Sequence, residues 1–278
     1  MTITQESQAV RAGVTAVGEV ELAWQLQGSG PPLVLISGLG QSALPWTAVL
    51  PRLTSHFTCL TFDNRGTGRS SVPEGPYPVD DMADDVAGLV TALDLGPVSA
   101  VGWSLGGSVL QSMLIRHGEI LERAVLLSAF PSYTSLQHAW LDNALTVRRA
   151  GLNSVDAALA SMAWSWTPRV TADHRTAVEQ AQLVLADPYP TSLAGFEAQA
   201  AGLRVYDSRP DLPQIETPTL VLVGAEDVLT PAEQSVQLAE LIPHSRLRVL
   251  PRGGHAMVLE YPEDTIAAIT SWLAREDM

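Results

Sequence analysis

Val98-Ser99-Ala100-Val101-Gly102-Trp103-Ser104-Leu105-Gly106-Gly107 is the stretch on which the reading of this chain turns. It opens as a short apolar run, the pattern of a strand buried on both faces, and passes without a linker into Leu105–His117, whose apolar residues recur at helical spacing. Ser104 therefore stands at a sharp strand-to-helix turn. A side chain there sits on strained backbone, so the residues two before and two after must be small, and both are glycine. A bare G-x-S-x-G is a weak signal; between a strand and a helix it marks Ser104 as a candidate nucleophile. The amide of Leu105, at the start of the helix, becomes a candidate donor to an oxyanion.

A serine hydroxyl is nearly inert at neutral pH, so a nucleophilic Ser104 requires a histidine and a carboxylate elsewhere. Both follow in the chain. Gly224-Ala225-Glu226-Asp227-Val228-Leu229-Thr230-Pro231 comes directly after the apolar run Thr219–Val223, and Gly253-Gly254-His255 comes directly after Arg246–Leu250. Loops at the C-terminal ends of parallel strands are where sites gather in open sheets. His255 is the candidate base. Two acids compete for the residue that orients it; Asp227 is preferred over Glu226 because it begins the turn that ends at Pro231. After Arg123–Ser128, an alternative place for the acid, the chain reads Ala129, Phe130, Pro131 and offers no carboxylate.

The second oxyanion donor is expected after the run Pro32–Ile36, where Ser37-Gly38-Leu39-Gly40-Gln41-Ser42 lets the backbone come close to a ligand; the amide of Leu39 is the candidate. Asp63-Asn64-Arg65-Gly66-Thr67-Gly68-Arg69-Ser70 reads as a tight loop bonded within itself, structural rather than catalytic. Trp103 and Val228, neighbours of the nucleophile and the acid, are candidate substrate contacts.

Around these loops, short apolar runs alternate with amphipathic stretches, the pattern of a mostly parallel sheet covered by helices, with an antiparallel hairpin at the start. Strands are expected at Val20–Gln27, Pro32–Ser37, Phe57–Phe62, Val98–Gly102, Arg123–Ser128, Thr219–Val223 and Arg246–Leu250. Helices are expected at Val79–Leu93, Leu105–His117, Pro231–Leu241 and Pro262–Glu276. The interval from Phe130 to about Thr217 breaks the rhythm. It shows no strand and four helical stretches, Leu136–Arg149, Val155–Trp164, Ala172–Leu185 and Thr191–Leu203, so residues 131–217 read as a helical cap inserted into a core of 1–130 and 218–278. Of its aromatic residues, most are expected to pack the cap itself, while Trp140, Trp164 and Trp166 are candidates to face a substrate pocket.

The chain has 278 residues, 46% of them hydrophobic, enough for one large core. The formal net charge is -14 and all 16 basic residues other than histidine are arginine, with no basic stripe, which argues against nucleic acid as a partner. The single cysteine, Cys59, lies in an apolar run and can form no intrachain disulfide. The N-terminal stretch lacks the pattern of a secretory signal and no apolar run approaches a membrane span, so a soluble cytoplasmic protein without membrane contact is expected. No histidine, carboxylate or cysteine cluster has ligand spacing; no metal or organic cofactor is implied.

Ser37–Gly40, Asp63–Ser70, Gly102–Gly107, Gly224–Pro231 and His255, in this order, closely resemble the α/β-hydrolase superfamily, and in particular the branch of 3-oxoadipate enol-lactonases, cofactor-free haloperoxidases and polyketide-pathway esterases. Ser71-Val72-Pro73-Glu74-Gly75-Pro76-Tyr77 is similar to the enol-lactonase subgroup. The resemblance implies the α/β-hydrolase fold, a triad of Ser104, Asp227 and His255, and oxyanion donors at Leu39 and Leu105. One departure is Ser37-Gly38, where many relatives have His-Gly. The activity implied is hydrolysis of a small-molecule ester or lactone. Elimination, cyclisation or acyl transfer on a biosynthetic intermediate, or a non-enzymatic small-ligand receptor, are the alternatives, because the fold fixes machinery better than substrate.

Overall fold

The computed structural model describes residues 10–152 and 154–274. The strands are β1 (Arg11–Val17), β2 (Val20–Gly28), β3 (Pro32–Ile36), β4 (Thr58–Phe62), β5 (Val98–Trp103), β6 (Leu121–Leu127), β7 (Thr219–Gly224) and β8 (Ser245–Leu250). The helices are α1 (Leu50–Leu53), α2 (Val79–Ala92), α3 (Leu105–Arg116), α4 (Ser135–Arg149), α5 (Val155–Ser165), α6 (Pro168–Thr171), α7 (His174–Leu185), α8 (Leu193–Arg204), α9 (Ala232–Leu241), α10 (Met257–Glu260) and α11 (Pro262–Leu273). The sheet order is β1-β2-β4-β3-β5-β6-β7-β8; β1 and β2 run antiparallel, β2 is antiparallel to β4, and every later pair is parallel.

Strand periodicity splits the apolar load between two faces. Val34 and Ile36 join the cluster under α2, α3 and α9, whereas Leu33 and Leu35 join the one with α1 and α11. Central strands β5 and β7 are buried at every position, as parallel strands covered on both sides must be. Cys59 belongs to the second cluster, where burial pushes its thiol up to about 12, so it packs as a small apolar residue.

The hairpin at the start differs from the expected strand set. Its first strand is β1, and Pro32–Ile36 does not pair with β2 but lies between β4 and β5. Arg11–Val17 escapes a hydrophobicity reading because it is an edge strand with exposed and half-buried residues only. The helix expected at Ala172–Leu185 begins at His174 as α7, with the short α6 (Pro168–Thr171) ahead of it, and Pro231 sits at the N-cap of α9 rather than inside its first turn. The expected end of the last helix, Glu276, lies outside the described residues. Among the described residues no helix is long and apolar enough to cross a membrane.

Between β6 and β7 the chain runs through α4 to α8. The last of these is welded to the core. A Cβ on Gly195 would come within 2.0 Å of the Gly66 carbonyl oxygen, so only glycine permits this approach of helix to loop. One face further along, Tyr77 N donates to Ala198 O at 2.9 Å. α8 thereby rests on the loops that follow β4.

Candidate active site

Ser104 has φ 57° and ψ -119°, a conformation that costs a residue with a Cβ about 1–3 kcal/mol and persists only where its surroundings enforce it. They do so here through contacts that exclude side chains. A Cβ on Gly102 would stand 2.2 Å from Gly106 O, and one on Gly106 would stand 2.2 Å from Ile36 O. The turn is closed by Ser104 N donating to Leu127 O at 3.0 Å and Gly107 N donating to Ser104 O at 2.8 Å. Leu105 opens α3, so its N–H has no acceptor within the helix.

The loops that carry Asp227 and His255 meet at this edge. Asp227 is 4% exposed and its Oδ2 lies 3.1 Å from His255 Nδ1. Asp227 Oδ1 accepts from Leu229 N at 3.0 Å and Thr230 N at 2.8 Å, which fixes the carboxylate plane. Burial works against its charge, but the imidazole of His255 and the donors of Thr230 outweigh burial and hold its carboxyl below the usual aspartate value. Glu226 faces outward, and its Oε2 accepts from Gly253 N at 2.9 Å. Of the two acids, the structure brings Asp227 to His255. Thr230, which is not among the candidate residues, places its hydroxyl 2.7 Å from Asp227 Oδ2 and 3.0 Å from His255 Nδ1. With Nδ1 so engaged, Nε2 is the nitrogen left open; neither it nor Ser104 Oγ has a hydrogen-bond partner among the described residues. Trp103 bridges the two loops, its Nε1 donating to His255 O at 2.9 Å.

The loop after β3 runs alongside. A Cβ on Gly38 would lie 3.3 Å from Ser104 Cβ, so this loop touches the candidate nucleophile. Gly38 N donates to Gln41 Oε1 at 3.2 Å and Gly40 N to Gln199 Oε1 at 3.0 Å, while the amide of Leu39 between them has no acceptor among the described residues. Ser37 is fully buried and its carbonyl accepts from Asn64 Nδ2 at 3.4 Å. Loop shape is therefore set by Gln41, Asn64 and Gln199 without a histidine at the first position.

Residues 31–262 match the family described as the alpha/beta hydrolase fold. This chain belongs to the α/β-hydrolase family. It is 30% identical over 249 residues to 3-oxoadipate enol-lactonase 2 of Acinetobacter baylyi, covering 90% of this chain and 91% of that one. It is also 30% identical over 249 residues to the RutD protein of Serratia proteamaculans, which carries the provisional name carbamate hydrolase, covering 88% and 91%. Among solved structures, an esterase of Thermogutta terrifontis superposes with a TM-score of 0.80 at 30% identity over 96% of this chain and 97% of that one. The likeness to enol-lactonases read from the motifs thus extends along most of the chain, and the protein is a hydrolytic enzyme of this family.

In this α/β-hydrolase the chain between β6 and β7 is hydrogen-bonded to the loops that carry Leu39 and His255. Gln199 of α8 is fully buried; besides accepting from Gly40 N it donates Nε2 to Arg65 O at 2.8 Å. Replacing it with leucine leaves both backbone groups without partners and frees the loop that carries Leu39. Gln199→Leu is expected to lower kcat for a small aryl ester by roughly 10- to 100-fold with a much smaller change in KM, and Gln199→Glu, which keeps an acceptor for Gly40, to lose less. Equal kcat in parent and Gln199→Leu would restrict the residue to holding α8 in place. The His255 loop is tied likewise: Ala256 N donates to Ser165 O at 2.8 Å, and buried Glu260 accepts from Thr167 N, the Thr167 hydroxyl and Gly254 N.

The candidate substrate contacts divide among three places. Trp103 is buried beneath the site, edge-on to Trp46 with ring centroids 6.2 Å apart. Trp140 packs with Leu39 against Leu141, Leu145 and Phe196, beside the loop that borders Ser104. Trp164, Trp166 and Val228 line a cavity of about 440 Å³ with His174 and Glu226, on the flank of the acid loop. A second cavity of about 430 Å³, between α2, α3 and the chain after α8, includes none of the candidate site residues.

Proposed function

We propose that this α/β-hydrolase cleaves a carboxylic ester or lactone through an acyl-enzyme on Ser104. The observation that carries the proposal is the strained Ser104 turn placed beside an imidazole whose Nδ1 is fixed on a buried aspartate. With Nδ1–H directed at Asp227, Nε2 is an acceptor and takes the proton from Ser104 Oγ as the oxygen attacks the acyl carbon. The developing oxyanion receives the amides of Leu39 and Leu105, both without competing acceptors, and the dipole of α3 adds to them. His255, now protonated, passes its proton to the leaving oxygen. Water, deprotonated by the same nitrogen, attacks the acyl carbon and restores Ser104, releasing the acid. Hydrogen bonds of this kind commonly tighten only when substrate is bound, so their absence between Ser104 and His255 in the free protein fits the reading.

The names of the relatives support the reading in kind: one is a lactonase, one an esterase, and a third is named for carbamate hydrolysis. Residues 131–217 serve in this reading as a cap, with α8 as its fixed hinge on the core and Trp140 on the pocket side. The test is labelling with a fluorophosphonate, which is captured by an activated serine. Intact protein at neutral pH should gain one adduct, mapped by peptide mass to Ser104. A label on another serine, or none, would remove the proposal.

A further inference from the structure

Ser128, the residue that follows β6, has φ 47° and is fully buried. That conformation costs a residue with a Cβ about 1–3 kcal/mol and persists only where its surroundings enforce it. The Ser128 hydroxyl does not account for the strain, since its Oγ has no hydrogen-bond partner among the described residues. Ser128 N donates to Leu222 O at 2.9 Å, which extends the pairing of β6 with β7. Its carbonyl oxygen is placed 3.2 Å from Thr230 Oγ1.

Thr230 is 1% exposed, and its hydroxyl has three neighbours: Asp227 Oδ2 at 2.7 Å, His255 Nδ1 at 3.0 Å and Ser128 O at 3.2 Å. A hydroxyl has one proton and two lone pairs, so it donates to one of the two oxygens at a time and offers a lone pair to Nδ1–H. While the imidazole is neutral, the carboxylate is the nearer acceptor and its bond is charge-assisted, so it takes the hydroxyl proton. Oδ2 then serves two donors, and the bond from Nδ1, at 3.1 Å, is the longer. Once the imidazole is protonated the demand reverses. Nδ1–H becomes the stronger donor, and a hydroxyl that turns its proton to Ser128 O leaves Oδ2 wholly to the ring and adds its own oxygen as a second acceptor. The turn is a rotation about the Cβ–Oγ1 bond; no heavy atom moves and no proton leaves the hydroxyl. Other supports of His255 hold its backbone: Trp103 Nε1 donates to its carbonyl, and Glu260 accepts from Gly254 N. Among the described residues only Asp227 and Thr230 hydrogen-bond to the ring.

We propose that Thr230 is a positioning residue of the hydrolytic site, whose hydroxyl donates to Asp227 in the resting protein and turns to the strained Ser128 carbonyl when His255 takes up a proton. The imidazolium thereby gains an acceptor that the neutral ring does not use. This rests on the roles of Ser104, Asp227 and His255 given under the proposed function.

The test uses Thr230→Val, which keeps nearly the same shape without the hydroxyl, and Thr230→Ser, which keeps the hydroxyl without the methyl group. For a small aryl ester, Thr230→Val should lower kcat by about tenfold and leave KM within about twofold, because the lost interaction belongs to the step in which His255 is charged. Its thermal midpoint should fall as well, since Ser128 O and Asp227 Oδ2 lose a donor, and the unchanged KM shows that the folded site persists. Thr230→Ser should restore kcat to within about threefold of the parent. The resting arrangement is read without turnover from the proton NMR line of His255 Nδ1–H, assigned by its loss in His255→Gln. That line should move downfield in Thr230→Val, where Oδ2 has one donor instead of two, and stay near the parent position in Thr230→Ser. A line that moves this way in a protein that hydrolyses no ester and takes no fluorophosphonate would keep Thr230 between Asp227 and His255 and remove the hydrolase reading. An unmoved line, equal kcat in parent and Thr230→Val, or a loss in Thr230→Ser as large as in Thr230→Val would overturn the proposal.

Discussion

Ser104→Ala is expected to lower kcat for a small aryl ester by about 10⁶ while leaving the thermal midpoint close to that of the parent. The two readouts separate because the substitution removes the attacking oxygen but keeps the Cβ, and the Cβ is what the positive φ of Ser104 disfavours. Ser104→Gly should lose as much activity and become more stable. Relief of about 1–3 kcal/mol of backbone strain outweighs the added flexibility of glycine in the unfolded chain, which costs about 0.5–1 kcal/mol. For a chain of this size a net gain near 1 kcal/mol is a rise of about 2–4 °C in midpoint. Kinetics on all three proteins, with calorimetric midpoints, checks both halves. Residual turnover in Ser104→Ala within tenfold of the parent would mean that the hydroxyl is not the nucleophile, and an unstable Ser104→Gly would mean that the turn is not strained.

What could be read from the sequence was local. The strand-turn-helix at Gly102–Gly107 and the loops after β7 and β8 announce themselves because each requirement, a small residue or an apolar run, lies within a few positions of the residue it serves. β1 was missed for the opposite reason: an exposed edge strand needs no apolar pattern to stay in a sheet whose next strand is buried. The supporting residues were missed because their partners are distant in sequence. Gln199 is an ordinary helical glutamine until Gly40 and Arg65 are brought to it, and Glu260 one more acid before a proline-led helix until Thr167 and Gly254 close on it. Thr230 could have been suspected from its place three residues after Asp227, since a hydroxyl at that spacing commonly bonds back to an aspartate that starts a turn. The aromatic content of residues 131–217 pointed to a pocket but not to its parts: Trp140 went to the loop after β3 and Trp164 and Trp166 to the flank of the loop that carries Asp227, a division decided by how α4 and α5 pack.

Asp227→Asn should lower kcat by about 10⁴ with the fold retained, and Glu226→Gln should change it by less than about threefold. The direction follows from the hydrogen bonds around the carboxylate. Oδ1 accepts from two backbone amides, Leu229 and Thr230, so in Asp227→Asn the side-chain oxygen must take that place and the NH₂ must take the place of Oδ2. The NH₂ then donates to His255 Nδ1, which is held as an acceptor, and the ring proton moves to Nε2. An imidazole in that tautomer cannot take the proton of Ser104. Thr230 loses Asp227 Oδ2 as an acceptor but retains Ser128 O at 3.2 Å, so no buried donor is stranded and the loop stays folded. Glu226→Gln keeps an oxygen for Gly253 N and touches nothing in this arrangement. Stability against pH gives a second reading. Because the folded-state pKa of Asp227 is depressed, its carboxylate adds stability that is fully present above the unfolded value of about 3.9 and is lost as pH falls through the lower folded value. Denaturant unfolding of the parent should therefore weaken in that acid window by more than that of Asp227→Asn, whose side chain does not titrate. Equal acid sensitivity in the two proteins, or a loss of turnover in Glu226→Gln as large as in Asp227→Asn, would move the orienting role away from Asp227.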